Sequence, residues 1–142
     1  MIVTSAIAYA VTMLVFVMLD MVWLTWIGGP LYRQVLGDIL IPGVRLQPAV
    51  LFYLLYPLGL LVFAVHPALN GGSVLTALMF GVLFGFFTYA TYDLTNFATL
   101  RNWTVTVTLI DVAWGCVLGG TSAAVGALIS PIILGWLGNS WH

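Results

Sequence analysis

The stretch Val74–Trp103, VLTALMFGVLFGFFTYATYDLTNFATLRNW, decides how the chain is to be read. Its apolar part, from about Val74 to Phe97, is as long as the roughly 20 residues that cross a hydrocarbon core. Toward its end come a carboxylate, Asp93, and an amide, Asn96, and Arg101 closes the run. A carboxylate inside such a segment costs roughly 2.5–3.5 kcal/mol at mid-membrane, and less near the interface. It therefore needs a partner or a purpose. Within the stretch Gly81, Gly85, Tyr89 and Asp93 recur at four-residue steps, which places them on one slowly drifting helix face. That row begins as a G-x-x-x-G surface of the kind that lets two membrane helices approach closely.

The rest of the chain repeats the pattern. Hydrophobic residues make up 63% of the 142 and charged residues 5%, against about 25% charged in soluble domains. We expect an all-α, polytopic membrane protein, residues 1–142 forming one domain of four transmembrane helices. Span one is expected from about Thr4 to Ile27, stopped by Gly28-Gly29-Pro30. The LYRQVL stretch after it reads as a short amphipathic helix at the membrane surface. Span two, about Pro48 to Val65, is rich in aromatic residues and carries Pro57, which a bundle tolerates as a kink. His66-Pro67 and Asn70–Ser73 read as a turn. Span three is the opening stretch, and span four runs from about Trp103 to Leu128 with Asp111, Gly115, Gly119 and Ser122 as a second stripe. Ser130-Pro131 reads as an N-cap and first-turn proline opening a short C-terminal interfacial helix, about 131–141, anchored by Trp136 and Trp141. The start has no basic stretch and its apolar block is too long for a signal segment, so span one is expected to be retained.

Orientation follows from the basic residues. With four spans, the first and third loops share a side and hold Arg33, Arg45 and Arg101, all the Lys and Arg in the chain. The positive-inside rule places those loops in the cytoplasm and both termini on the outer side of the plasma membrane. Asp20 then lies about 8 residues, or ~12 Å, from the cytoplasmic end of its span. Asp111 lies about as deep, and Asp93 ~6 Å deep. Separate helices thus bring carboxylates into the same half of the bundle, while His66 sits near the opposite rim.

The candidate polar site comprises Asp20, Trp23, Tyr89, Asp93, Asn96, Asp111 and Trp114. The repeated D-x-x-W, Asp20–Trp23 and Asp111–Trp114, puts an aromatic face one turn from each acid, which suits a cation or an amphipathic ligand. Coincidence in a chain with 6 Trp is the competing explanation. The acids either form a site for a proton, a cation or a polar head group, or they pair with Arg33, Arg45, Arg101 and tyrosine hydroxyls and only fasten the helices. H-x-x-x-H, C-x-x-C, E-x-x-H and G-x-S-x-G patterns do not occur, so zinc, haem and serine-hydrolase chemistry have no motif, and no cofactor is indicated. Oxygen-liganded hard cations stay open through the aspartates. The net charge of −1 gives no footprint for nucleic acid, and the single Cys116 excludes an internal disulfide. The lipid bilayer is the one partner the sequence implies; it leaves a homo-oligomer open.

The stretches FVMLDMVWL, YRQVLG, FYLLYPLG, YDLTNFATLRNW and LIDVAWG resemble a bacterial family of small predicted membrane proteins catalogued as domain of unknown function 2177. The resemblance covers nearly the whole chain, and the YDLTNxATL run is its most specific part. In that family the position of Arg101 is often lysine, which keeps the charge. The resemblance implies a four-span bacterial membrane protein and assigns no catalytic residue. Three functions fit: a proton- or cation-linked transport or permeation module, a membrane enzyme acting on a lipid or isoprenoid, or an accessory subunit whose acids hold helices together.

Overall fold

In the computed structural model, which describes residues 2–139, four helical rods account for almost the entire chain. They are α1 (Ile2–Leu36), α2 (Leu46–Leu69), α3 (Val74–Thr99) and α4 (Val105–Asn139). Each is long and apolar enough to cross a membrane. Large apolar side chains such as Trp26, Leu75 and Phe87 are exposed on their outer faces. Water would not tolerate so much exposed apolar surface, but acyl chains do.

The rods run longer than the sequence suggests, and the cause is local. At Gly28-Gly29-Pro30 the chain does not stop. The five residues Leu24–Gly28 form a π-helical turn, after which an α-helix resumes from Gly29 to Leu36. Proline lacks the N–H of the regular ladder, and its ring crowds the carbonyl four residues back. The wider π turn relieves that crowding without ending the helix. LYRQVL is therefore helical, as expected, and follows α1 without a break in the rod. The same device recurs before Pro67, where a π turn over Leu61–Val65 carries α2 through His66 to Leu69. His66 is thus helical, and the turn into α3 is confined to Asn70–Ser73. There Gly71 takes φ 109°, a conformation open chiefly to glycine.

Ser73 caps α3: its side chain accepts from the Thr76 N–H, while the Thr76 hydroxyl accepts from the Ser73 N–H. α4 is continuous through Pro131, so the expected interfacial helix is its C-terminal extension. A proline removes one backbone bond, too little to break a long apolar helix. Ser130 is buried in the rod's interior face instead of capping a new one, and Trp136 is exposed on the last turns. Trp141 lies outside the described residues.

The glycine stripes meet. A Cβ on Gly81 would strike the carbonyl of Gly119, and one on Gly85 the carbonyl of Gly115, so α3 and α4 pack backbone to backbone. Each four-residue step up α3 matches a four-residue step down α4. α1 and α2 complete the bundle around a core of Phe16, Tyr56, Leu60, Ala64 and Leu118. A smaller cluster, Leu36, Trp103 and Val107, ties the end of α1 to the start of α4.

Candidate functional site

The register set by the glycines, continued one step, sets Tyr89 of α3 opposite Asp111 of α4, and Asp93, one turn further along α3, lies beside the same Asp111. Asp111 accepts a hydrogen bond from the Tyr32 hydroxyl, which the π turn of α1 has carried over it. Asp93 is fully buried, and neither of its oxygens meets a donor. Its neighbour is another carboxyl, so the pair is satisfied when one proton lies between the two.

Asp20 is buried on α1 and accepts from the Tyr53 hydroxyl of α2 at 2.6 Å. The Trp114 indole lies beside Asp20, although its N–H does not reach hydrogen-bond geometry. Trp23 and Trp114 stack face to face, centroids 4.6 Å apart and planes 4° from parallel. The two D-x-x-W segments therefore join across the bundle through their Trp rings, with Asp20 beside the Trp114 of the other segment. Gly28 makes room for this, since a side chain there would run into the Trp23 ring.

Beside these groups is a cavity of about 600 Å³. Asp20, Trp23, Tyr32 and Leu36 line it from α1, Phe52, Tyr53 and Tyr56 from α2, and Thr88, Tyr89 and Tyr92 from α3. Asp111 contributes from α4, and Leu40 and Val44 of the first connection line its rim at one end. Phe52 is 40% exposed and Tyr92 56%, so the cavity reaches the outer surface of the bundle between α2 and α3. It lies at the end of the bundle that carries Arg33, Arg45 and Arg101. All three arginines are exposed, and the groups beside the carboxyls are tyrosine, tryptophan and one another.

Of the residues expected at the site, Asp20, Trp23, Tyr89 and Asp111 line the cavity, while Asp93 and Trp114 sit behind its wall. Asn96 is half-buried next to Tyr92, one turn beyond Asp93, and does not reach the cavity. Among the described residues, no group of three His, Cys, Asp or Glu is placed to hold a metal ion. His66 is far off, at the other end of the rods, where it shares a hydrogen bond with Ser5 at 2.9 Å. Tyr32, Tyr53 and Tyr56 are the site residues that sequence reasoning did not single out. The visible signal for two of them was the pair of tyrosines in FYLLYPLG, three residues apart on one face.

These features define a class: an all-helical, four-span membrane protein with a carboxyl- and phenol-lined cavity opening through its side. The family described as a predicted membrane protein (DUF2177) matches residues 5–128, and the chain belongs to that family. No curated protein and no solved structure matches the chain.

Proposed function

We propose that this protein takes an amphipathic molecule from the bilayer into the cavity and carries its polar end to Asp20 and Asp111, as a cation-linked transport module of the bacterial inner membrane. The observation that carries this reading is the combination of a large, mostly apolar cavity with buried carboxyls in its wall. At about 600 Å³ the space falls within the 300–1,000 Å³ or so of typical small-molecule sites. Its side opening suits a ligand that arrives through lipid. A water-filled path toward His66 has less support, because the Phe16–Tyr56 stack and Leu60 fill the core between.

One observation favours a second reading, a membrane enzyme acting on a lipid or isoprenoid. A carboxyl pair such as Asp93–Asp111 can hold a proton for general acid–base work. Mass spectrometry of the protein released from lipid nanodiscs tests both. A co-purifying amphiphile is expected with the wild type and is expected to be lost when Ala49, which lines the cavity from the first turn of α2, is enlarged by Ala49→Trp. Retention of the same molecule by Ala49→Trp, or no bound molecule with either protein, would sink the transport reading. Conversion of the bound molecule on incubation would favour the enzyme.

A further inference from the structure

Resting on the cavity reading above, we infer that the ligand is a lipophilic monocation: an onium or protonated amine head on a largely apolar body. The wall offers negative and π-rich groups and nothing positive. Asp20 and Asp111 are 5% and 2% exposed, and no Lys, Arg or His lines the space. The hydroxyls of Tyr32 and Tyr53 already donate to the carboxyls, and that of Tyr56 is engaged with Thr88 at 3.1 Å. A phosphate or carboxylate head would therefore meet acceptors with few donors left, and the arginines that suit such anions are exposed outside.

A cation meets the reverse. Asp20 has one oxygen bonded to Tyr53 and a second free of that bond, while Asp111, bonded to Tyr32, carries with Asp93 the negative charge of a pair that shares one proton. Aromatic faces from Trp23, Phe52 and Tyr89 surround the same space. Aromatic walls with nearby carboxylates are the chemistry that recognises quaternary and protonated amines, and the attraction of a cation to a ring face is strongest where water is excluded. A bare metal ion is a poorer fit, because among the described residues no three ligating groups converge.

The test uses two probes of one shape and opposite charge, tetraphenylphosphonium and tetraphenylborate. Farnesol serves as an uncharged amphiphile. Each is titrated against the full chain in phosphatidylcholine nanodiscs, with empty nanodiscs subtracted, and the Trp fluorescence is read. The phosphonium is expected to bind saturably and the borate not at all. Asp20→Asn and Asp111→Asn are each expected to weaken phosphonium binding at least tenfold. Val44→Trp, on the exposed rim where folding is not at stake, is expected to abolish it. Equal binding of the two ions, or phosphonium binding within twofold of wild type in both Asn variants, overturns the inference. Saturable farnesol binding with neither ion bound overturns the cation and keeps the amphiphile cavity. Silence from all three probes removes both.

Discussion

Asp93 poses the sharpest question at the scale of single residues. It is fully buried, has no donor, and faces Asp111. If one proton joins the pair, the amide of Asp93→Asn supplies a permanent donor in its place. We expect that variant to melt within about 1 kcal/mol of wild type, and Asp93→Ala to lose about 1–3 kcal/mol by leaving Asp111 without its neighbour. Thermal unfolding in one detergent checks both. A loss of more than about 3 kcal/mol in the Asn variant would mean instead that Asp93 is held as a charge. The acids themselves were legible in the sequence, because a carboxylate is costly in an apolar helix and must face inward. Their phenolic partners were not. A tyrosine in an aromatic span has several plausible places, and only the crossing of α1 with α2 puts Tyr53 at Asp20, and that of α1 with α4 puts Tyr32 at Asp111.

At the scale of elements, two sequence signals had opposite fates. The glycine rows of α3 and α4 were readable as close-approach faces, and they do face one another. Gly85→Leu and Gly115→Leu are therefore expected to destabilise the bundle by about 1–3 kcal/mol or more, since the obstacle at Gly85 is backbone and at Gly115 the Tyr89 ring. Leu75→Ala, on a side chain that is 63% exposed, should change the melting point little. Equal melting of all three variants would mean that these glycines are not in the contact. The Gly28-Gly29-Pro30 signal, by contrast, read as a stop because proline ends most soluble helices. Here a π turn absorbs it and rotates the last two turns of α1 toward α4. Pro30→Ala restores the missing N–H and lets the turn tighten. A one-residue change in winding swings the remainder of the helix by about 100°. The Tyr32–Asp111 coupling, roughly 0.5–3 kcal/mol in a double-mutant cycle with Tyr32→Phe and Asp111→Asn, is expected to fall toward zero in the Pro30→Ala background. Unchanged coupling would show that the π turn is not the feature that places Tyr32.

At the scale of the whole molecule, the fold was legible because the bilayer leaves so few choices: apolar blocks of spanning length become helices, and short connections make neighbours antiparallel. The cavity was not legible, since it arises where α2 stands away from α3, and no residue pattern records a gap. Charge nevertheless bears on its position relative to the two membrane faces. Leu40 and Val44, at its rim, belong to the same connection as Arg45, and Arg101 follows α3 at the same end. Positive residues are retained in the cytoplasm, so that end, with the acids, is expected in the inner leaflet. A cytoplasm-dependent reporter is therefore expected to be active when inserted between Arg33 and Arg45 and silent when fused after His142. Chemistry gives an independent check in a Cys116→Ala background. Val44→Cys, 75% exposed before substitution, should react with a membrane-impermeant maleimide in inside-out vesicles and not in intact cells. Labelling from outside the cell would invert the bundle, and the cavity would then draw its ligand from the outer leaflet.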